Sequence, residues 1–343
     1  MVGTGTIGEP LIGLMCHFQK ELGLDEITFH KHSISDRPKV KALVNRGAKL
    51  VADAEKFEAF RAAGMNPEMT HEQALEQASV VIDCSPKGIE MKEKIYKRYE
   101  HNTLGFIAQG SEFGFGKMYA RGINDDVITP ADRYIHVVSC NTHNLSCLLQ
   151  TLVLAEGDDN LTEASFVCMR RANDISQVKD FSPAPQVGSH KDGKFGTHHA
   201  RDAHHLFQTK GLDLNLFSSA VKLNTQYMHS LWFDLRMKRP TNLEAIKIKI
   251  KGNDRIAVTD KRDANTVFSF GRDQGHFGRI LNQTVIPTST LTMPNEHRLV
   301  GFCFTPQDGN SLLSSLAAAL RFIHPTDWES RIQVLKPFFF DEV

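Results

Sequence analysis

The stretch HVVSCNTHNL, residues 136 to 145, places a cysteine between a β-branched run and a cluster of hydrogen-bonding side chains. A cysteine thiolate is a strong nucleophile, so Cys140 could attack a carbonyl carbon and form a covalent intermediate. Free cysteine is more often a small buried apolar side chain. The surrounding sequence must decide between these two roles for Cys140. We expect the other five cysteines to be small buried side chains.

Cysteine spacing, charge and hydropathy narrow the class of protein. The six cysteines form no C-x-x-C pair, so we expect reduced thiols rather than a zinc site or a disulfide framework. Forty basic residues cancel forty acidic ones, which leaves no net field to attract nucleic acid or an anionic membrane. No stretch approaches the roughly eighteen uncharged apolar residues of a membrane-spanning helix. We therefore expect a cytoplasmic protein with a small ligand and no metal.

A polar segment from residue 180 to 210 holds five of the sixteen histidines, which are His190, His198, His199, His204 and His205. A structureless run of this length is more often functional than decorative. Clustered histidines could bind a metal, but no cysteine or carboxylate with a recognisable ligand spacing accompanies them. We favour hydrogen bonds from this segment to an anionic substrate over a metal site and over an inert loop.

The elements that must position these residues begin with alternating strands and helices in the first third of the chain. Strand patterns EITFH, AKLVAD, SVVIDCS and LGFIAQG alternate with helical patterns such as DRPKVKALVNRG and THEQALEQA. Thr70 and Gln73 in the second of these helices have the spacing of a capping box. The pattern predicts an α/β fold with a Rossmann-type doubly wound parallel sheet.

The motif GTGTIG places Gly3, Gly5 and Gly8 at the start of a helical pattern. Glycines there let the backbone approach a dinucleotide pyrophosphate, and the helix N-terminus supplies N–H donors. The alternative is a tight turn without a ligand, and the βαβ context favours nucleotide binding. Only Met1 and Val2 precede the motif, fewer than its usual strand, which leaves open whether the N-terminus is native.

The end of the second strand usually selects the dinucleotide, because an acidic residue there binds the ribose 2′-hydroxyl and repels a 2′-phosphate. This chain has FHKHS instead, and Lys31 with Ser33 and His32 would complement a phosphate. A solvated loop lysine is an equally good interpretation from spacing alone. The sequence therefore points to NADP, or to use of both NADP and NAD, rather than to strict use of NAD.

After Cys140 the pattern changes to one helix, NLSCLLQTLVLAEG, and then to strand-like runs separated by polar loops. The runs are SFVCMRR, LFSSAVKLN, RIAVTD, NTVFSF and HRLVGFCF. They predict a second, α+β domain with a mainly antiparallel sheet. We expect a dinucleotide domain at 1–139, a catalytic domain at 140–305 and a helical segment at 306–343 that packs back on the first domain.

Taken in order, the motifs GTGTIG, VIDCSPKGI, FIAQGSE, VVSCNT, MRRAND, GTHHARD, YMHSLWFDL and TDWESRI resemble the archaeal-type (type II) phosphorylating glyceraldehyde-3-phosphate dehydrogenases. The resemblance runs over nearly the whole chain, and SCNT is its most specific part. It implies that Cys140 is the nucleophile and that His229, which follows a methionine in the second domain, is the catalytic base. A second histidine of the family motif is replaced by Leu231, and His136 and His143 are rival bases.

The resemblance also implies the substrate contacts. Asn141 and Thr142 flank the nucleophile, Arg170 and Arg171 are the paired arginines after a strand, and Thr197 and His198 stand in the phosphate-contacting loop. The cofactor contacts that we expect are Gly3, Gly5, Thr6, Ile7, Gly8, Lys31, Ser33, Gln109 and Gly110. The chain departs from the family at His143, Asn144, Cys147 and Ala200, which border the substrate pocket.

The implied reaction is the NAD(P)-dependent oxidative phosphorylation of glyceraldehyde 3-phosphate to 1,3-bisphosphoglycerate, a step of glycolysis and gluconeogenesis. Its partners would be an aldehyde phosphate and inorganic phosphate, in a homotetramer. Two alternatives stay open. One is a related semialdehyde or acyl-phosphate dehydrogenase that keeps Cys140 and His229, and the other is a catalytically silent nucleotide-binding scaffold.

Overall fold

A computed structural model describes residues 1–175, 177–178, 182–306 and 308–343. The chain forms two compact units. The first comprises Met1–Tyr119, Ile128–Val137 and Leu312–Lys336. The second comprises Ala120–Val127, Val138–Ser311 and Pro337–Val343. The domain boundaries expected from the sequence stay a prediction.

The described ranges contain twelve α-helices, six short 3₁₀ segments and one π-helical turn (Leu149–Val153). The α-helices are α1 (Gly8–His17), α2 (Gln19–Leu22), α3 (Arg37–Asn45), α4 (Phe57–Ala62), α5 (His71–Gln77), α6 (Gly88–Lys94), α7 (Cys140–Leu148), α8 (His198–Gln208), α9 (Leu243–Lys251), α10 (Ala264–Gln274), α11 (Gly309–Ile323) and α12 (Trp328–Ile332). None of the helices in these ranges combines the length and apolar character that a bilayer crossing requires.

Fifteen strands lie in the same described ranges. They are β1 (Thr28–His30), β2 (Lys49–Ala52), β3 (Met69–Thr70), β4 (Val80–Asp83), β5 (Gly105–Gln109), β6 (Lys117–Tyr119), β7 (Tyr134–Val137), β8 (Leu161–Arg170), β9 (Gln186–Val187), β10 (Leu216–Lys222), β11 (His229–Met237), β12 (Ile256–Thr259), β13 (Thr284–Pro287), β14 (Thr292–Asn295) and β15 (Arg298–Thr305).

In the first unit all strand pairs are parallel. The orders β1-β2-β3 and β4-β5-β7-β6 form two half-sheets. Val2 makes parallel bridges to His30 of β1 and to Asp83 of β4, so one residue joins the two halves. The carboxyl ends of all these strands therefore meet at one edge, where α/β sheets bind their ligands.

The second unit has a mixed, mainly antiparallel sheet with the strand order β12-β13-β15-β11-β8-β10-β9, and β14 pairs with β15. The pairs β8–β10 and β12–β13 are parallel. Helix α7 packs on β13 and β15, and α8 packs on β10. These two sheets confirm the predicted fold class, which is a Rossmann-type parallel sheet together with an α+β unit.

Local sequence explains several of these elements. The expected capping box is present, because the Gln73 amide donates to the Thr70 hydroxyl oxygen at 3.1 Å and the Thr70 amide donates to the Gln73 side chain at 2.9 Å. Such a box satisfies two of the unpaired N–H groups at a helix start. Gly47, at φ +102°, ends the turn after α3 with a backbone conformation that other residues rarely adopt.

Three expectations about local structure were wrong. The sequence pattern predicts a strand at NTVFSF, but these residues lie in α10, where Val267 and Gly271 are buried four residues apart. The sequence predicts no regular structure from 180 to 210, but this segment contains β9 and the eleven residues of α8. The helix in NLSCLLQTLVLAEG was expected to start after Cys140, and α7 instead begins at Cys140 itself.

Candidate active site

Cys140 is the first residue of α7, and Ser139 before it has the extended backbone of an N-cap. The partial positive charge of a helix N-terminus stabilises a thiolate. Burial works in the opposite direction and, with the nearby Asp308 carboxylate, raises the pKa of Cys140 to about 12, although Arg171 partly offsets this. The half-buried thiol is therefore neutral at neutral pH, and it needs a base or a bound ligand to ionise.

A buried charged group stands beside the cysteine. The Nη2 atom of Arg171 lies 3.1 Å from Oδ1 of Asp174 and 3.9 Å from Oδ1 of Asp308, and the Arg171 side chain is 1% exposed. Its Nε and Nη1 atoms are buried and have no hydrogen-bond partner among the described residues. Buried guanidinium donors are costly to leave unpaired, so these two nitrogens are suited to bind an anion.

Asp308 completes this group from the turn before α11. Its Oδ2 atom lies 3.6 Å from Nη2 of Arg279. Burial raises the pKa of Asp308 to about 6, although Arg171 and Arg279 pull it down. A carboxyl group with this pKa titrates in the range where many enzymes work.

His229 is the first residue of β11 and is 6% exposed. Its Nδ1 atom lies 3.1 Å from Oδ1 of Asn141, the residue after Cys140. Burial, followed by the charges of Arg171 and Arg170, holds the pKa of His229 well below its usual value. The imidazole is thus neutral, which is the form that can accept a proton.

The N-terminus of α8 brings His198, His199 and Thr197 to this unit. Burial, together with Arg170 and Arg201, lowers the pKa of His198 to about 4. The ring of His199 lies against that of His198 with 3.9 Å between centroids, and both of its buried nitrogens lack a partner among the described residues. Thr197, the N-cap, shares a 2.6 Å hydrogen bond with the Ser218 hydroxyl. Helix dipole and arginines together favour a negatively charged ligand here.

Several known proteins have sequences similar to this chain. The chain is similar to archaeal glyceraldehyde-3-phosphate dehydrogenases. It is 25% identical to the enzyme of that name from Pyrobaculum islandicum over 68% of this chain and 65% of the relative, just under two thirds of its length. It is 26% identical to the Sulfolobus acidocaldarius protein over 74% of this chain and 73% of the relative. The Methanococcus vannielii protein is 29% identical over 71% of each chain.

No protein-family model matches the chain. The similarity to these dehydrogenases confirms the resemblance that the ordered motifs predicted. It supports a dehydrogenase of this kind, while the residues that would do the chemistry stay predictions.

The structure groups several of the expected site residues in the second unit. Arg171 acts electrostatically on both Cys140 and His229, and Arg170 acts on His198 and His229. Asn141 and Thr142 turn their side chains into the interior. The Asn141 side chain bonds to His229 and Thr305, and the Thr142 hydroxyl lies 2.9 Å from the Ser139 hydroxyl.

The two rival histidines have backbone partners. His136 Nε2 lies 2.8 Å from the Gly110 carbonyl oxygen, and His143 Nδ1 lies 3.0 Å from the Ser139 carbonyl oxygen. Both rings are completely buried. These contacts suit a structural role, and they favour His229 as the base.

The glycine motif forms an open turn at the start of α1 in the first unit. A Cβ atom on Gly8 would lie 2.1 Å from the Gly3 carbonyl oxygen, so only glycine fits there. Gly3 has φ +86°, and a Cβ atom on the exposed Gly5 would meet nothing within 4 Å. Thr6 and Ile7 lead directly into α1. The turn thus leaves open space at a helix N-terminus, which is what a pyrophosphate requires.

The other expected cofactor residues lie at the end of β5 or just after β1 and β5, at the same sheet edge. Lys31 is 9% exposed, and burial lowers its pKa. Ser33 is exposed and hydrogen-bonds to Ser35. Gln109 donates a hydrogen bond to Ser315, and Gly110 follows it with φ +80°.

Sequence reasoning missed several residues of these sites. Lys39 lies 3.4 Å from the Thr4 carbonyl oxygen in the glycine turn and 3.1 Å from Glu9. Asp308 and Thr305 act on the catalytic unit from more than 160 positions beyond Cys140. No local pattern marks such distant residues, whereas His199 was visible in the histidine cluster and was passed over in favour of His198.

Proposed function

We propose that this protein is an NAD(P)-dependent phosphorylating dehydrogenase that converts glyceraldehyde 3-phosphate to 1,3-bisphosphoglycerate through a thioester on Cys140. The observation that carries the proposal is the grouping of Cys140, His229 and Arg171. It supplies a nucleophile, a neutral imidazole and a cation with two buried donors that lack partners among the described residues.

In the proposed reaction, Cys140 forms the covalent bond to the substrate and His229 accepts the proton. The Cys140 sulfur bonds to the aldehyde carbon, and the new hydroxyl group gives its proton to His229 as hydride leaves the carbon. A nicotinamide cofactor bound to the first unit supplies the hydride acceptor. The thioester left on Cys140 is attacked by an oxygen of inorganic phosphate, the C–S bond breaks, and the acyl phosphate leaves with the thiol restored.

The anionic groups of the substrates need cationic partners. Arg170, Arg171, Thr197 and His198 are our candidates for the substrate phosphate and inorganic phosphate, because forked guanidinium donors and a helix N-terminus both suit phosphate oxygens. Asn141 and Thr142 then act by positioning their neighbours rather than by contacting the aldehyde.

The cofactor is expected at the turn from Gly3 to Gly8 and at the residues after β1 and β5. Lys31 remains the candidate for a 2′-phosphate, and Lys39 joins it because its ammonium group reaches the glycine turn. Lys31 just after β1 favours NADP over strict NAD use, and Asp36, which acts on Lys31 and lies 3.1 Å from Lys39, offsets part of this positive charge.

Cys140→Ser tests the covalent mechanism. The variant should fold and bind cofactor but lose aldehyde oxidation, since a serine hydroxyl is a weaker nucleophile than a cysteine thiol and is harder for a base to ionise. Turnover is measured with glyceraldehyde 3-phosphate, unphosphorylated aldehydes and aspartate-type semialdehydes, with nucleotide binding followed by fluorescence. Near-normal turnover of the variant contradicts the mechanism. Activity only on another aldehyde supports the related dehydrogenase, and binding without any turnover supports the scaffold.

The outer face of the second unit's sheet supports the expected homotetramer. Trp232 of β11 stands directly between Val167 of β8 and Phe302 of β15, and Phe302 is 40% exposed. A contiguous apolar patch of this kind commonly marks a protein interface. Phe302→Glu should therefore reduce the assembly size in sedimentation velocity, and an unchanged size would exclude this face as the interface.

A further inference from the structure

A chain of hydrogen bonds runs through the interior behind His229. The Cys303 thiol donates to Oδ1 of Asn144 at 3.3 Å, and Nδ2 of Asn144 donates to Oγ1 of Thr305 at 2.8 Å. The Thr305 hydroxyl donates to Oδ1 of Asn141 at 3.0 Å. His229 Nδ1 lies 3.1 Å from the same oxygen.

Secondary structure sets this arrangement. Asn141 and Asn144 are three residues apart on α7 and so share one face of the helix. Cys303 and Thr305 are two residues apart on β15 and so share one face of the strand. His229 pairs directly with Thr305 across the antiparallel strands β11 and β15. The side chains in this chain of hydrogen bonds are buried: Asn141, Asn144, Cys303 and Thr305 are each at most 1% exposed.

The direction of each bond is determined in turn. Burial raises the pKa of Cys303 to about 12, so its thiol keeps a proton to donate to Asn144. The Asn144 amide then presents Nδ2 to Thr305, whose hydroxyl accepts that bond and has its own hydrogen left for Asn141. The Asn141 oxygen therefore faces both Thr305 and His229. An oxygen can only accept, so His229 must donate through Nδ1.

The surroundings of His229 keep its imidazole neutral. Burial lowers its pKa most, followed by Arg171 after β8 and Arg170 at the end of β8, and His199 of α8 is a further titratable ring that interacts with it. A neutral imidazole carries one hydrogen. If that hydrogen is on Nδ1, Nε2 has a free lone pair.

We propose that Thr305 and Asn144 are positioning residues that hold His229 in the Nδ1–H form through Asn141, which leaves Nε2 as the nitrogen that accepts the substrate proton. The base role rests on the proposed function. The position of the hydrogen does not, and it can be measured without turnover.

The test is nitrogen-15 NMR of the full chain labelled in its histidines, with the His229→Asn variant used to identify the His229 signals. The wild type should show the ring proton on Nδ1. Thr305→Val removes the hydroxyl and frees the Asn141 amide to rotate, so both ring nitrogens should share the proton. Thr305→Ser should restore the wild-type spectrum, and Thr305→Ala replaces the valine variant if that one does not fold.

A wild-type spectrum with the proton on Nε2, or a Thr305→Val spectrum identical to the wild type, overturns the proposal. Kinetics provide the second measurement. Loss of one buried hydrogen bond should lower kcat of Thr305→Val by about threefold to tenfold with KM for the aldehyde unchanged, and Thr305→Ser should recover it. Thr103→Val, which removes a buried hydroxyl from the first unit, is the matched control and should keep wild-type kcat.

The two measurements separate the two proposals. A proton that moves between the ring nitrogens with no change in kcat supports the hydrogen-bond chain and refutes His229 as the base. A kcat that falls while the proton stays on Nδ1 refutes the chain and leaves the base role intact.

Discussion

Removing the buried charge of Asp308 should stabilise the protein at neutral pH. The carboxyl group is 2% exposed, and burial raises its pKa from 3.8 to about 6 in spite of Arg171 and Arg279. In the unfolded chain the group ionises near its usual pKa, so between about pH 4 and pH 6 the folded state holds a proton that the unfolded state has lost. The stability that this group contributes is complete below pH 4 and is lost as the pH rises through 6.

The size of the effect follows from the shift. One pKa unit corresponds to about 1.4 kcal/mol, so a rise from 3.8 to about 6 amounts to about 3 kcal/mol. An asparagine amide in place of the carboxyl group cannot ionise. We therefore expect Asp308→Asn and the wild type to have similar free energies of unfolding near pH 4, and the variant to be more stable by about 3 kcal/mol at pH 7.5.

Urea unfolding of both proteins at several pH values from 4 to 8 measures this difference. Other groups titrate in both proteins and cancel when the wild-type value is subtracted. Asp158→Asn, at an exposed position of the second unit, is the control and should stay within about 0.5 kcal/mol at every pH. A difference for Asp308→Asn that is the same at pH 4 and pH 7.5, or a variant less stable at pH 7.5, would refute this reasoning.

The same variant has a second, chemical readout. The Asp308 carboxylate raises the pKa of Cys140, so its removal should lower that pKa and speed alkylation of Cys140 at pH 8. Each pKa unit lost makes the thiolate about tenfold more abundant. An alkylation rate equal to that of the wild type would show that Asp308 does not act on the cysteine.

His229→Asn should lower kcat by about a hundredfold to ten-thousandfold, the usual value of a general base, with cofactor affinity unchanged and the acidic limb of the pH profile altered. His136→Asn and His143→Asn belong in the same series, and a comparable loss in either with an active His229→Asn would identify a different base. Lys31→Ala should raise the KM for NADP far more than the KM for NAD, and equal effects on both would remove Lys31 from the 2′-phosphate site. Lys39→Ala in parallel shows whether the lysine nearer the glycine turn carries that preference instead.

Most of the first unit could be predicted from the sequence, because each short element carries its own signal. The apolar run VVID, the capping pair Thr70 and Gln73 and the turn glycine Gly47 act within a few residues of where they stand. Alternation of such elements then leaves few ways to arrange a parallel sheet.

The second unit shows where local patterns fail. NTVFSF has the β-branched and aromatic composition of a strand, but its six residues are too few to distinguish period two from period 3.6. Helix α8 has a clear helical spacing in the buried Ala200, Ala203 and Phe207. Four histidines lie in the same helix, and they mask its apolar period.

The candidate site was predictable only in part, for a related reason. Cys140 and His229 stand in short motifs, whereas Thr305 and Asp308 reach the site through pairing of β15 with β11 and through the turn before α11. Residues that come together only through tertiary folding have no characteristic spacing along the sequence that would reveal their contact. The inward orientation of Asn141 likewise depends on a strand that lies far away along the chain.

The division of the first unit into three stretches has a consequence for the newly made protein. Roughly 170 residues separate Val137 from Leu312, and a ribosome adding about 5–20 residues per second takes about 10 to 35 seconds to make them. Met15 and Ile82 share a cavity wall with Leu316 and Ala319 of α11, so this apolar surface stays open during that interval. A nascent chain in this state is a natural client for a chaperone, and ribosome pausing just before the codons of α11 would lengthen its exposure.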